Sequence, residues 1–367
     1  MLQPTVALML DDATPPARQV GVAVVGLGNW GPNLLRVLGD NFDAQVRWLC
    51  DLDSSRLAKY RRRHPNARVT TRIDRILADP SVDAVVLATS ARTHYDLATR
   101  VLEAGKHVYV ETPLAMSAEL ADDIAILGRA RRRIVMCGHT FLYSPPVGAV
   151  KRMIEAGTLG DIYSISSSRL NLGLNIRAAS VIWDLGPHDF SILLYWLSEA
   201  PISVRAVGRD SVLEGVADVA FVTMNFASGI VVNIELSWLA PSTLSRTVVV
   251  GSERMVVYED GGQEPVRLFD CGVIDHSPAG HGHPTVRTGD IVSPSIESDE
   301  PLESQLSDFV QAIRSGYLME YQTTLARNVV RIAQAADESF RLGGAEVWLS
   351  GEEEAGRLAP GRGLAAV

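Results

Sequence analysis

Two groups of residues have the types and spacing that chemistry would need. Gly26, Gly28 and Gly31 form a Gly-x-Gly-x-x-Gly string directly after the apolar run Val22–Val25, with Asn29 and Trp30 completing the turn. The first glycine permits a tight turn, the second lets a pyrophosphate approach the backbone, and the third allows close helix–strand packing. A helix opening at Gly31 would offer free N–H groups and a positive dipole end to phosphates. Pro32 suits that first turn, where proline sacrifices no needed donor. Asp51 ends the next apolar run, Val46–Cys50. A carboxylate there accepts both ribose hydroxyls and repels a 2′-phosphate, which favours NAD over NADP. The competing role for Asp51 and Asp53 is to cap the helix beginning near Ser54, and Arg56 is the one nearby cation that weakens the preference for NAD.

The second group is Asp184-Leu185-Gly186-Pro187-His188. Pro187 marks a helix start and places His188 in its first turn. A helix N-terminus disfavours added positive charge, so the imidazole stays neutral and able to accept a proton. That is the state a general base requires. The alternative is a structural histidine at the start of a buried helix with a salt-bridge partner. Asp189 reads as a cap of the same helix, without chemistry. His276, His281 and His283 sit in a Gly-rich stretch with no fixed acid partner and read as solvated loop histidines, so no metal is expected.

The elements that must position these residues follow from the apolar periodicity. Strands are expected at Val20–Val25, Gln45–Cys50, Val69–Thr71, Ala84–Ala88, His107–Glu111 and Ile134–Cys137, with amphipathic helices between them. Thr71-Arg72-Ile73-Asp74 resembles a capping box. This alternation implies a parallel sheet covered on both faces, an α/β doubly wound Rossmann domain over residues 20–141. Beyond it a helix at Val147–Ala156 gives way to strands at Ile162–Leu170, Ile202–Val207, Val219–Phe226, Ile230–Trp238 and Thr247–Val250, with a buried helix at Ile192–Leu197. Successive strands imply an α+β domain over 142–350 on an open, mainly antiparallel sheet. Residues 259–300 read as long loops or a ribbon, and 1–19 and 351–367 as loose tails.

Bulk properties exclude several classes. At 367 residues the chain has room for about two domains. A formal net charge of -9 argues against a nucleic-acid surface, which needs clustered basic residues. Cys50, Cys137 and Cys271 are widely spaced and form no Cys-x-x-Cys pair, as expected of a reduced cytoplasmic protein without a thiolate metal site. No stretch approaches the roughly 18 apolar residues of a membrane span, and no basic-flanked signal segment is present.

These residues together resemble the glucose–fructose oxidoreductase/inositol dehydrogenase/rhizopine catabolism family, Gfo/Idh/MocA. The resemblance covers nearly the whole chain and includes the glycine string, Ala88-Thr89 with His94, Gly105-Lys106-His107-Val108, Glu111-Thr112-Pro113, Asp184-x-x-x-His188 and Pro301-Leu302-Glu303. It implies that Thr89, His94 and Glu111 belong with the cofactor, Thr89 and Glu111 beside its nicotinamide half. It further implies that His188 is the base removing a proton from a secondary alcohol, with Asp184 orienting it, while hydride passes to NAD. Arg169, Asn171, Arg177 and Tyr143 are then candidates to meet a sugar or nucleotide-sugar substrate, with a surface salt bridge or aromatic packing as their competing roles. The family's open sheet commonly forms oligomer contacts, so a homodimer or homotetramer is expected.

The departure is Thr112, where relatives carry a lysine. Unit charges about 4 Å apart interact by about 4 kcal/mol at an effective dielectric near 20, whereas a neutral hydrogen bond nets about 1 kcal/mol. Neither Lys106 nor Lys151 is an evident replacement. The expected activity is therefore an NAD-dependent oxidoreductase acting on a sugar, nucleotide-sugar or aminocyclitol hydroxyl, with Thr112 as a hydrogen-bonding substitute. The competing readings are a redox-neutral epimerase, lyase or glycosidase with tightly bound NAD, and a non-catalytic sensor.

Overall fold

The structure, a computed structural model, describes residues 19–173, 180–274, 285–297 and 299–349. The expected tails fall outside that description except for Gln19. The chain forms two compact units: one runs to Thr140 and includes Glu300–Val330, and the other comprises Phe141–Asp299 with the segment from Arg331.

The first unit alternates strand and helix: Val20–Val25 (β1), Gly31–Asp40 (α1), Ala44–Cys50 (β2), Ser54–Arg61 (α2), Arg68–Thr70 (β3), Asp74–Leu77 (α3), Ala84–Leu87 (β4), His94–Glu103 (α4), His107–Val110 (β5), Ala118–Ala130 (α5) and Val135–Cys137 (β6). The strands pair in parallel in the order β3-β2-β1-β4-β5-β6. Every residue of β1, β4 and β5 is buried, as expected of strands covered on both faces. Leu34, Leu35, Val37 and Leu38 form the buried stripe that holds α1 on the sheet. The order reverses direction between β1 and β4, which places a ligand crevice at the carboxyl ends of these strands. The expected capping box is not formed: Ile73 precedes α3 without a side-chain bond, and it is the Thr70 hydroxyl that accepts from Arg72 N.

In the second unit the helix Pro145–Glu155 (α6) precedes the strand Ile162–Leu172 (β7), the short helix Val181–Asp184 (α7) and the helix Gly186–Leu197 (α8). The strands Ser203–Arg209 (β8), Val219–Asn225 (β9), Val231–Ser237 (β10), Leu239–Gly251 (β11) and Met255–Glu259 (β12) follow. Short strands at Val266–Phe269 (β13), Gly272–Ile274 (β14), Thr285–Arg287 (β15) and Ile291–Val292 (β16) make a ribbon of the Gly-rich stretch. The helices Pro301–Ser315 (α9) and Glu320–Arg341 (α10) and the strand Val347–Trp348 (β17) complete the chain. Nine strands form one open sheet in the order β16-β13-β12-β11-β7-β10-β9-β8-β17, antiparallel except for the β10–β7 pair.

Apolar residues alternate along β9 and β10, so one face of the sheet is buried and the other is open. Helix α8 is apolar nearly all round, and among its residues only His188 and Leu197 escape full burial. A helix of that kind belongs in a core. Each large apolar side chain buried there contributes about 1.5–3 kcal/mol.

One expectation changes. The sequence pattern predicts a second domain running unbroken from 142 to 350, but α9 and the start of α10 return to the first unit. The reason is visible in their contacts: Gln305 bonds Cys137 O, the Thr323 hydroxyl bonds Val135 O, and Arg327 pairs with Asp122.

Candidate active site

The glycine string builds a cradle at the end of β1. Gly26 has φ +93°, and a Cβ there would stand 2.5 Å from Ala88 O, so the turn and its approach to β4 both require glycine. A Cβ on Gly31 would lie 1.9 Å from Gly26 O. A Cβ on Gly28 would meet only Arg56 Nη1, at 3.7 Å, so this glycine leaves open space rather than relieving a clash. Helix α1 has no side-chain cap and no acid in its first turn; Asn33 N and Leu34 N turn back to Trp30 O, so what the helix offers an external anion is chiefly the positive end of its dipole. Asn29 and Trp30 are exposed beside it. A nicotinamide dinucleotide fits this set: glycine space, a positive dipole end and an acid on the next strand.

That acid, Asp51, is buried. Its Oδ2 accepts from Leu27 N at 2.6 Å and its Oδ1 from Asp53 N at 2.8 Å, so it shapes the loop as well as facing the crevice end of β2. Arg56 lies 3.6 Å from Asp51 and 3.5 Å from Asp53. Asp53 caps α2 through Ser55 N.

Thr89 follows β4 beside Gly26, and its hydroxyl accepts from Thr93. His94, expected beside the cofactor, is buried at the start of α4. Its Nδ1 lies 2.7 Å from Pro113 O and its Nε2 3.2 Å from Thr89 O, which ties the loop after β4 to the segment after β5. Burial pulls its pKa below the usual histidine value. The neutral ring has one N–H, which the shorter contact assigns to Nδ1. The Thr112–Pro113 peptide is cis.

Glu111, at the end of β5, has a sealed carboxyl oxygen, Oε1, without a hydrogen-bond partner among the described residues. The other oxygen accepts Thr112 N at 3.4 Å, and Trp30 and Tyr109 also bond the carboxyl. Burial pushes its pKa up to about 8. Gly138 makes room for it, since a Cβ there would stand 2.8 Å from Glu111 Oε2 and 3.0 Å from the Tyr109 hydroxyl. The chain of bonds continues inward: Tyr109 Oη donates to Gln305 Oε1 at 3.0 Å, and Thr140 Oγ1 donates to the same oxygen at 2.9 Å.

In the second unit Pro187 and His188 occupy the first turn of α8, as their spacing predicts. The Nδ1 of His188 is sealed and has no hydrogen-bond partner among the described residues. Burial first, and then the charge of Arg169, depress its pKa to about 3. The ring is therefore neutral at physiological pH.

Asp184 does not hold that ring through Nδ1. Its Oδ2 accepts the Trp238 indole N–H at 2.8 Å. What touches the His188 ring is Phe141, edge-on with centroids 5.3 Å apart. Phe141 in turn lies under the Arg169 guanidinium, 4.6 Å from the ring centroid.

Arg169 is buried rather than a surface ion pair, and its Nε donates to Asp189 Oδ2. Asp189, expected only to cap the helix, is the counter-ion of this arginine and accepts from the Ser167 hydroxyl at 2.7 Å. Ser167 also bonds the Thr247 hydroxyl, at 2.8 Å. Alternation along β7 puts Ser167, Arg169 and Asn171 on one face. The Asn171 Oδ1 is sealed and unpartnered among the described residues. Tyr143 is half-buried in the 3₁₀ turn Thr140–Tyr143. Arg177, His276, His281 and His283 lie outside the described residues.

Lys106 and Lys151 are both engaged by groups of their own unit. Lys106 Nζ donates to Asp79 O and Val82 O, both at 2.8 Å, and Lys151 Nζ to Ser198 Oγ at 2.7 Å and Trp196 O at 3.2 Å. Sequence reasoning missed Phe141, Asp189, Tyr109 and Gln305. The one available signal was Arg169 itself, since an arginine amid β-strand alternation needs an acid nearby.

Comparison with known proteins identifies the family of both domains. The oxidoreductase family with an NAD-binding Rossmann fold, GFO/IDH/MocA, matches residues 20–139, and the GFO/IDH/MocA C-terminal domain matches residues 147–257. An inositol 2-dehydrogenase of Acidothermus cellulolyticus is 31% identical over 228 residues, covering 60% of this chain and 67% of that protein. A UDP-N-acetylglucosamine 3-dehydrogenase of Acidithiobacillus ferrooxidans is 28% identical over 244 residues, covering 66% and 72%. The crystal structure of GenD2 from gentamicin A biosynthesis, in complex with NAD, superposes with a TM-score of 0.77 at 26% identity, covering 96% of this chain and all of that one. The chain belongs to the GFO/IDH/MocA family of oxidoreductases, whose nicotinamide cofactor its first unit is built to hold.

Proposed function

We propose that the chain is an NAD-dependent dehydrogenase that moves hydride between nicotinamide and a hydroxyl-bearing carbon of a sugar, nucleotide sugar or aminocyclitol, with His188 as acid/base. The observation that carries this reading is the neutral His188 ring, not fully buried, at the first turn of α8. Such a ring takes the alcohol proton, and returns it in the reverse direction, once substrate and Asp184 raise its basicity above the value of about 3 that burial sets. The bound cofactor supplies the acceptor or donor of hydride. Asp184, fixed by Trp238, compensates the imidazolium as it forms, and Thr112 offers the substrate hydroxyl a hydrogen bond. Arg169 and Asn171 on β7, Tyr143, and Arg177 are the substrate-facing candidates.

The preference for NAD rests on Asp51 and on Arg56, which is engaged by two carboxylates and so is poorly placed to receive a 2′-phosphate. The substrate class rests on the relatives, which act on inositol and on UDP-N-acetylglucosamine. Three free cysteines suit the reducing cytoplasm. The open sheet face, where Val207 and Phe221 are paired in register and both exposed, suits association of identical chains as a dimer or tetramer.

The test is nicotinamide absorbance across a panel of sugars, nucleotide sugars and aminocyclitols with NAD and NADP, comparing wild type with His188→Ala. Turnover with NAD that falls at least 100-fold in the variant is expected. Cofactor binding with no net absorbance change on any substrate would replace this reading with redox-neutral chemistry or sensing.

A further inference from the structure

The carboxyl of Glu111 is an unusual group to find at a cofactor crevice. One of its oxygens is sealed and lacks a partner among the described residues, and no cation among them pairs with it. The influences on its proton are burial, Thr112 N–H, Trp30 and Tyr109. The strand order locates it. Asp51 at the end of β2 marks the ribose end of one mononucleotide half, and the crevice runs from there across the reversal between β1 and β4. The other half therefore faces the ends of β4 and β5, where Thr89 and Glu111 stand. Trp30 ties Glu111 directly to the phosphate loop.

We propose that Glu111 discriminates the oxidation state of the bound nicotinamide, with an uncharged carboxyl when the crevice is empty or the ring is reduced, and a carboxylate when the ring carries the positive charge of the oxidised form. This rests on the nicotinamide-binding assignment of the first unit. The proton balance is simple: the protonated enzyme plus NAD⁺ gives the NAD⁺ complex of the ionised enzyme plus one H⁺ released to solvent, with no electron transferred. Once hydride has neutralised the ring, the carboxylate takes up a proton again.

The surrounding hydrogen bonds allow both states. Tyr109 has one hydroxyl proton and two acceptors, the Glu111 carboxyl and Gln305 Oε1. A protonated Glu111 donates to Tyr109 Oη, which donates onward to Gln305. An ionised Glu111 accepts the Tyr109 O–H hydrogen bond, the proton staying on the phenol, and Gln305 Oε1 keeps Thr140 as its donor. The other titratable neighbours are Cys137 on β6, whose pKa burial and Glu111 raise well above the usual thiol value, His94 behind Pro113, and His139 beyond Gly138.

The experiment is calorimetric binding of NAD⁺ and of NADH between pH 6 and 9, repeated in buffers of different ionisation enthalpy so that released protons are counted, with NADP⁺ and NADPH in parallel. NAD⁺ affinity is expected to rise about tenfold per pH unit up to about pH 8 and then level off, with close to one proton released per NAD⁺ at pH 7. NADH affinity is expected to stay flat. In Glu111→Gln both profiles become flat, proton release disappears, and at pH 8.5 NAD⁺ affinity falls at least tenfold while NADH affinity changes less than threefold. Wild-type NAD⁺ binding that is tight, independent of pH and free of proton release overturns the proposal while leaving the cofactor assignment intact. Binding of neither cofactor in either redox state overturns both.

Discussion

Replacing Asp189 with asparagine tests the buried cluster next to His188. The new amide would keep the volume and can still accept from Ser167, now 2.7 Å from Asp189 Oδ1, while the charge is removed and an NH2 donor replaces the oxygen that accepts from Arg169 Nε. What it strands is Arg169. The side chains of the pair are 10% and 3% exposed, so water screens neither well. Beyond Asp189, the packing partner described for this guanidinium is the face of Phe141, worth roughly 0.5–2 kcal/mol as a cation–π contact. Removing one partner of a buried ion pair costs about 3–5 kcal/mol, because the remaining charge is left uncompensated. Against a total stability of about 5–15 kcal/mol, that loss is large. The assay is urea denaturation followed by the fluorescence of Trp183, Trp196 and Trp238, which all lie in the second unit. Asp189→Asn should lower its midpoint by an amount equivalent to about 3–5 kcal/mol, and Arg169→Met in the same background should recover at least half of it. A cost below about 1 kcal/mol, the value of an exposed ion pair, would refute the claim that this pair is desolvated.

Other outcomes follow from the same reasoning. His107 accepts Ile134 N through Nδ1 at 3.0 Å, and burial holds its pKa down to about 3, against about 6.5 when unfolded. The unfolded chain therefore binds a proton that the folded one refuses. The stability this histidine contributes is complete above about pH 6.5 and is lost as pH falls towards 3, by about 2 kcal/mol at pH 5. His107→Asn keeps an acceptor for Ile134 and should flatten the acid limb of a Tm-against-pH profile by that amount; an unchanged limb would contradict the assignment. Gly31→Ala should destabilise the first unit by roughly 1–3 kcal/mol, because the new methyl meets backbone at Gly26. Gly28→Ala should leave Tm within about 1 °C while weakening cofactor binding at least tenfold. Equal Tm losses in the two variants would show that the glycines share one structural task.

Much of the first unit was legible because its information is local. The glycine spacing, the strand–helix rhythm and the acid after β2 all lie within one β-α-β stretch. Pro187, the signal that His188 opens a helix, is equally local. What stayed hidden depends on pairing between distant residues. Asp189 looks like a cap when only α8 is read; its meaning comes from Arg169 on β7 and from Ser167 beside it. His94 reads as a site residue next to Thr89, and its ring nitrogens face two backbone carbonyls, one of them nineteen positions away, only one of which the neutral ring can serve as donor. Apolar periodicity predicts helix α9 but is silent on which sheet it covers. Its place is decided by Gln305, which reaches Tyr109, Cys137 and Thr140.

The return of Glu300–Val330 to the first unit also governs how the protein can be made. A nascent chain that has emerged as far as Thr140 holds all six strands of the parallel sheet but lacks α9, and the polar cluster around Tyr109 then lacks Gln305. At elongation rates of about 5–20 residues per second, the missing helices follow roughly 10–40 s later, after nearly all of the second unit has left the ribosome. During that interval Tyr109, Cys137 and Thr140 lack the Gln305 amide that later joins them, so the packing of the first unit is finished only after most of the second has been threaded.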